Sequence, residues 1–380
     1  MYIDHIVFNY LTIKSFYIPL RLYLRIPIAQ SCPSTIIMAT HYAAVAVGKA
    51  LPLEVRKRKT PKPGPAELLV EVKSVALNPI DCKTHNLGFA LAGYPAVFGS
   101  DVGGVVVQAG SDVSDVFKPG TRVTAFAPSY FVQGAPDYGA FQQRSIIPAA
   151  NACTIPDHIS FNEAATFPMA VATAWSGLET LGVSRDASYS GSDKQGILVW
   201  GGSSSVGSMT VQVARSLGFT VYATASAKHH EYIMSLGASR VFDYKAPDVE
   251  DAVIKAAKED GLTFQYGYDA VGALLPCHNI LKLMKGDGIA HLASAPPLKP
   301  GDPTGEGVEV KFVATSTDEK ERAGQFSFWF NIWLKEKLEK GEIVSCPQEI
   351  QLVDGGLQGI NQGLGILKAG VSCTKLVIEI

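Results

Sequence analysis

Closely spaced cysteine pairs are missing from this chain. Its six cysteines, Cys32, Cys82, Cys153, Cys277, Cys346 and Cys373, contain no C-x-x-C and keep no regular interval. That scatter argues against a disulfide framework and against a four-cysteine zinc lobe, and predicts reduced, mostly buried thiols in a cytoplasmic protein. An excess of either charge is also missing: 33 Lys and Arg against 35 Asp and Glu leave a net charge of -2. With no basic stripe and no run of like charges, nucleic acid is a poor partner. No unbroken apolar run reaches the length of about 18 residues that a spanning helix requires, so no membrane segment is expected. Acidic residues are absent between Tyr10 and Ile37, where Lys14, Arg21 and Arg25 are the only charges. Such a start fits an organellar presequence. A misassigned start is the favoured expectation, because Met38 immediately precedes a self-sufficient domain beginning at His41. Residues 1–37 are therefore set aside as an extension.

What remains is 47% hydrophobic and long enough for two domains. Its clearest local signal is the run Ile197-Leu198-Val199-Trp200-Gly201-Gly202-Ser203-Ser204-Ser205-Val206-Gly207. An apolar strand delivers the chain to a turn of small residues, and a helix follows with Val206, Met209, Thr210, Val213, Ala214 and Leu217 on one face. Missing side chains let backbone N–H groups approach a pyrophosphate, and the helix N-terminus favours its charge. One glycine turn is weak by itself, so the context decides. Strand-like and helix-like segments alternate at 220–224, 241–244, 249–258, 266–271, 274–284 and 289–294, with a further apolar run at 308–314. This predicts an α/β fold with a doubly wound parallel Rossmann sheet, because a TIM barrel needs about eight such units.

A carboxylate is lacking where NAD-specific sites usually carry one. The segment after the second strand reads Ala225-Ser226-Ala227-Lys228-His229. A hydroxyl and an ammonium suit a 2′-phosphate, so NADPH is the predicted cofactor. An ordinary solvated lysine opening a helix would read the same way locally.

Ahead of the sheet the texture is short β-like runs at 42–47, 67–77, 103–109, 122–127 and 140–147, broken by Gly and Pro. An irregular β-barrel is expected there, and helical periodicity returns at 162–181. In order, the chain carries Ala76-Leu77-Asn78-Pro79-Ile80-Asp81, Phe98-Gly99-Ser100-Asp101-Val102-Gly103-Gly104-Val105-Val106, Phe117-Lys118-Pro119-Gly120-Thr121-Arg122-Val123 and Gly139-Ala140-Phe141. With these markers the chain from His41 to Ile380 resembles the medium-chain dehydrogenase/reductase superfamily. It is most similar to a zinc-independent fungal branch that includes trans-acting enoyl reductases of polyketide synthases. Shared features are Asn78-Pro79-x-Asp81-x-Lys83, the Gly-Gly-Ser opening of the phosphate turn, and Val241-Phe242-Asp243-Tyr244.

The resemblance implies a GroES-like barrel domain over 38–175, completed by 317–380, and a Rossmann NADP-binding domain over 176–316. It also shows what this chain lacks. Zinc-dependent members carry ligands at the positions of Asn78, Ser100 and Met169, and none of these residues replaces a thiolate or imidazole. Without a Lewis acid, simple alcohol chemistry is disfavoured. Hydride addition to a conjugated C=C bond, by contrast, places its charge on a carbonyl oxygen.

Residue by residue, the likeness implies cofactor contacts from Ile80, Asp81, Cys82 and Lys83 at the nicotinamide side. Ser203, Ser204, Ser205 and Val206 would hold the pyrophosphate. Ser226, Ala227, Lys228, His229 and Tyr244 would meet the adenosine 2′-phosphate end. Leu292, Ala293, Leu376 and Val377 would close the site. On the bridging helix, Thr173, Ala174, Trp175, Ser176, Gly177, Leu178, Glu179 and Thr180 would line the substrate channel, with interdomain packing as the alternative for the same face.

The expected activity is NADPH-dependent reduction of an α,β-unsaturated carbonyl compound or thioester, free or carrier-bound, with a polyketide synthase as partner. The alternatives are a quinone oxidoreductase and a catalytically weak NADPH-binding protein, as a monomer or a homodimer. No proton donor is assigned. Related mitochondrial-type enzymes use a tyrosine where Asn86-Leu87-Gly88-Phe89 stands here, Tyr94 lies further on, and Lys83 serves phosphate binding equally well.

Overall fold

A computed structural model describes residues 39–380; the expectations for 1–37 lie outside the described residues. The amino-terminal part is built from β1 (Thr40–Val45), β2 (Glu54–Lys59), β3 (Glu67–Ala76), helix α1 (Pro79–Leu87), β4 (Asp101–Ala109), β5 (Arg122–Phe126), β6 (Arg144–Pro148) and β7 (Ala152–Thr154). β3 is the organising strand, paired antiparallel with both β4 and β6. Leu68, Val70, Val72, Val102, Val106 and Val123 are buried in the core between them. Phe98 and Phe141 close that core edge to face at 5.2 Å. Gly99, at φ +89, has no room for a side chain, because a Cβ there would overlap the Phe141 ring. The marker residues Phe98-Gly99 and Gly-Ala-Phe therefore belong to one packing contact.

The helix expected over 162–181 is two helices, α2 (Phe161–Ala164) and α3 (Pro168–Thr180). Ser160 and Glu163 cap α2 reciprocally. Pro168 cannot continue α2, since it lacks an N–H, but it is well suited to open α3. α3 then runs unbroken across the expected 175/176 domain boundary. Its buried residues join one apolar cluster with the nucleotide-sheet helix and the carboxy-terminal helices, so the helix is a wall shared by both parts.

The second sheet comprises β8 (Gln195–Trp200), α4 (Ser205–Ser216), β9 (Thr220–Ala225), α5 (His230–Ser235), β10 (Arg240–Asp243), α6 (Val249–Asp260), β11 (Thr263–Asp269), α7 (Leu274–Met284), β12 (Ala290–Ser294) and β13 (Val308–Phe312). The spatial order is β10-β9-β8-β11-β12-β13, all parallel, which is the doubly wound arrangement anticipated from the alternation.

α8 (Glu319–Phe326) continues through a π-helical stretch, Ser327–Leu334, into α9 (Lys335–Glu339). This rod is fastened at two points. Glu179 of α3 accepts hydrogen bonds from Gln325 Nε2 at 2.7 Å and Trp329 Nε1 at 3.0 Å. Asn331 Nδ2 donates to the carbonyls of Ala149, Ala150 and Ala152 at 3.3, 3.1 and 2.9 Å. The chain ends with β14 (Glu349–Leu352), α10 (Gly359–Ala369) and β15 (Thr374–Glu379). β15 lies antiparallel to β3 and completes the barrel sheet. Among the described residues no helix is long and apolar enough to cross a membrane. Five described cysteines carry free thiols, and burial pushes Cys82 up to about 11 and Cys346 up to about 12, away from reactive thiolate.

Candidate functional site

The parallel strands end together on one side of the sheet, and the order reverses between β8 and β11. A crevice at that switch point is where such folds bind nucleotides. Gly201, at φ +81, turns the chain out of β8, and a Cβ there would collide with Val271 at the end of β11. The turn is pinned to β9, with Gly201 N donating to Thr224 Oγ1 at 3.1 Å and Gly202 N to the Thr224 carbonyl at 2.8 Å. Ser204 caps α4 by accepting the Gly207 N–H at 3.0 Å. A Cβ on Gly207 would overlap the Gly201 carbonyl oxygen. Ser205 Oγ is buried and has no hydrogen-bond partner. A glycine cradle, a helix N-terminus and an orphaned hydroxyl fit a pyrophosphate.

Ser203, Ser204, Ser205 and Val206 all lie in this turn, each partly exposed. β9 and β10 run in register with Ala225 beside Asp243, so Ser226, Ala227 and Lys228 emerge next to Tyr244. Lys228 is exposed and Tyr244 is 45% exposed. His229 instead turns inward to Ser372 Oγ at 3.1 Å, and burial lowers its pKa, which keeps the ring neutral. Sequence reading passed over Asp269, whose Oδ1 accepts the N–H groups of Val271 and Gly272 at 3.0 and 2.9 Å and shapes the opposite lip. Its position as the acid closing β11 was the available signal.

Other expected contacts sit differently. Leu292 and Ala293 are interior residues of β12, with the ladder of β11 on one side and β13 on the other. Leu376 and Val377 are core residues of β15, and their carbonyls accept the N–H groups of Leu77 and Val353. Backbone groups committed to ladders are not free for a ligand. On α3, Ala174, Trp175, Ser176, Gly177 and Leu178 are buried. Trp175 meets Phe328 and Trp333 edge to face. Gly177 seats the Tyr268 ring, whose hydroxyl donates to the Thr173 carbonyl at 2.8 Å. Glu179 is spent on Arg185 and the rod helix, and Thr180 Oγ1 on the Ser176 carbonyl. Over Ala174–Leu178 this helix is therefore a packing face.

Where α1 begins, the structure assembles a polar cluster that the sequence did not disclose. Lys375 is 3% exposed, yet its Nζ lies 2.9 Å from Asp101 Oδ2 and donates to Asn78 Oδ1 at 2.7 Å. Asn78 Nδ2 donates to Asp101 Oδ2 at 2.8 Å, and Met169 N to Asp101 Oδ1 at 2.7 Å. Asp81 is fully buried, accepting from Asn78 N at 2.7 Å and from the Tyr130 hydroxyl at 2.5 Å. Burial pushes the Asp81 pKa up to about 7, against the hydrogen bonds from Tyr130 and Asn78. Ser100 Oγ is buried without a partner. Of the residues predicted beside the nicotinamide, Ile80 and Cys82 are half-buried and Lys83 is exposed on the same turn of α1.

Asp101, next to Ser100 in the chain, brings Asn78 and the backbone of Met169 together here. A carboxamide, a hydroxyl and a thioether make a poor zinc donor set, and an ammonium 2.7 Å from Asn78 Oδ1 repels a dication. Among the described residues no group of three or more His, Cys, Asp or Glu is arranged to hold a metal ion.

Residues 64–157 match the family Alcohol dehydrogenase GroES-like domain, and residues 205–331 match Zinc-binding dehydrogenase. A trans-enoyl reductase of Aspergillus flavipes is 46% identical over 342 residues, covering 90% of this chain and 99% of that protein. The solved structure of an alcohol dehydrogenase superfamily protein from Novosphingobium aromaticivorans aligns with a TM-score of 0.70 at 22% identity, covering 90% of this chain and 99% of the other. A quinone oxidoreductase structure from Pseudomonas syringae aligns with a TM-score of 0.67 at 22% identity, covering 90% and 100%. At that identity the two structures speak for the fold. Taken with the full-length likeness to the Aspergillus protein, they close the assignment: this chain is an oxidoreductase of the medium-chain dehydrogenase/reductase superfamily, a relative of the fungal trans-enoyl reductases.

Proposed function

We propose that this chain is an NADPH-dependent, zinc-independent reductase of α,β-unsaturated thioesters or ketones, working in the cytoplasm beside a polyketide synthase. The observation that carries the reading is the Lys375–Asn78–Asp101 cluster, a donor set unsuited to a metal, tied through Met169 N to the first turn of α3, the helix that packs against α4 of the nucleotide sheet. A site of that kind favours a substrate whose own conjugation disperses the developing charge. Bound nicotinamide supplies the hydride. The chain's residues hold and orient: the Gly201–Gly207 turn takes the pyrophosphate, and Ser226, Lys228 and Tyr244 take the adenosine end. The relatives called trans-enoyl reductases support a carrier-bound acyl substrate.

The test is NADPH oxidation by the full chain with enoyl thioesters on CoA and on acyl carrier protein, simple enones, quinones and aldehydes. Enoyl or enone turnover is expected. Turnover of quinones alone would replace the reading with that of a quinone reductase. For the cofactor, Lys228→Ala is expected to raise the KM for NADPH about 10–100-fold, the worth of one charge-assisted hydrogen bond. The KM for NADH should stay within about twofold. An equal effect on both cofactors would remove Lys228 from 2′-phosphate recognition.

A further inference from the structure

We propose that the Tyr130 hydroxyl, held by Asp81, is the hydrogen-bond donor to the carbonyl oxygen of the conjugated acceptor, with Ser100 Oγ beside it. This rests on the function proposed above and gives that chemistry a group of this chain.

Three observations lead there. Asp81 is fully buried and fixed at both oxygens, by Asn78 N at 2.7 Å and by the Tyr130 hydroxyl at 2.5 Å, so the phenol has one defined position. Next to the phenol lies Ser100 Oγ, itself fully buried and within hydrogen-bonding reach of the phenol oxygen. A phenol and a serine hydroxyl gathered beside a buried carboxyl can aim two donors at a single ligand oxygen. Finally, the cluster is tied to the first turn of α3 through Met169 N and Asp101 Oδ1 at 2.7 Å, at the barrel end of the helix that also packs against α4 of the nucleotide sheet. Tyr130 is half-buried as a residue, whereas its partners Asp81, Asp101 and Lys375 are buried.

The hydrogen bond has two arrangements. With Asp81 ionised, the single phenol hydrogen is spent on the carboxylate. Once Asp81 is protonated, its own O–H donates to Tyr130 Oη, and the phenol hydrogen is released for an acceptor oxygen. Burial, followed by the opposing hydrogen bonds of Tyr130 and the Asn78 N–H, sets this switch at about 7, with Asp101 raising it further and Lys375 lowering it. The Cys82 thiol, also beside Asp81, is pushed up to about 11 and stays neutral throughout. A buried carboxylic acid kept neutral in this way leaves a donor where an enolate oxygen develops its charge.

Tyr130→Phe in the full chain is expected to lower kcat for an enoyl thioester by about 100–1000-fold, as for the loss of one oxyanion donor, with substrate KM within about threefold. Wild-type kcat should fall as pH rises through about 7, because the Asp81 carboxylate then recaptures the phenol hydrogen. Asp81→Asn should lose that alkaline limb, since its carboxamide can donate to Tyr130 Oη at every pH while its oxygen still accepts the Asn78 N–H. Without turnover, infrared spectra of a bound enone labelled with carbon-13 at the carbonyl should show a lowered stretching frequency in wild type and in Asp81→Asn, and the free frequency in Tyr130→Phe. Unchanged kcat in Tyr130→Phe, the same carbonyl shift in all three proteins, or an alkaline limb that survives in Asp81→Asn would overturn the proposal. Should wild type reduce quinones but no enone, the functional reading falls, while the carbonyl shift still decides whether Tyr130 is the donor. If the phenylalanine variant does not fold, the paired pH profiles of wild type and Asp81→Asn remain decisive.

Discussion

Lys375→Met is expected to destabilise the protein by about 3–5 kcal/mol, the usual cost of leaving one partner of a buried ion pair unpaired. At this chain size that corresponds to a fall in Tm of about 4–7 °C. The effect is large because Asp101 is 0% exposed and retains only Asn78 Nδ2 and Met169 N as donors once the ammonium is gone. Methionine keeps most of the side-chain volume, so lost packing contributes little. Adding Asp101→Asn should recover more than half of the loss, because both charges are then removed and the Asn oxygen still accepts the Met169 N–H. Urea and thermal unfolding of the three proteins measure this. A single variant within about 1 kcal/mol of wild type would show that the pair is not isolated from water, and a double variant no better than the single would show that charge is not the cause.

Gly207→Ala should weaken NADPH binding by about 100-fold or more, read from quenching or enhancement of cofactor fluorescence. The added Cβ would overlap the Gly201 carbonyl oxygen and stand 3.0 Å from Gly202 Cα, and neither is the movable end of a side chain. The turn cannot yield locally, because Ser204 Oγ and Ser208 Oγ hold the Gly201 and Gly202 carbonyls at 2.8 Å each. Opening it displaces the N–H groups that we propose face the pyrophosphate, while overpacking costs the fold about 1–3 kcal/mol. Gly191→Ala, in the surface loop before β8 with open space around it, should change neither property. Undiminished NADPH affinity in Gly207→Ala would mean that the pyrophosphate does not use this turn.

The contrast between these two predictions follows from sequence separation. Gly201 to Gly207 could be read as a cradle before any coordinates because strand, turn and helix are consecutive, and each step has its own composition. The alternation of β8 to β13 was legible for the same reason, within a few residues at each end. Local patterning also exposed the lack of a carboxylate after β9. It failed where a segment's partner decides its role. Ala174 to Leu178 read equally well as a channel or as packing, and only the ring of Tyr268 and the aromatic residues of the rod helix decide for packing. The break before Pro168 was legible in principle, since proline ends one helix as readily as it opens another.

By itself the sequence determined the βαβ cradle and the barrel texture, because each is a property of neighbouring residues, whereas the significance of Asn78, Ser100 and Met169 came from the family resemblance. Only the tertiary structure decided what those positions do. Asn78 meets Asp101 across 23 residues of chain and Lys375 across 297, while Tyr130 reaches Asp81 across 49. Nothing local to any of these residues encodes its partner. A buried charge is tolerable only when the fold brings its counter-charge and donors to it, so the cluster exists only once β3, β4, α3 and β15 are packed together.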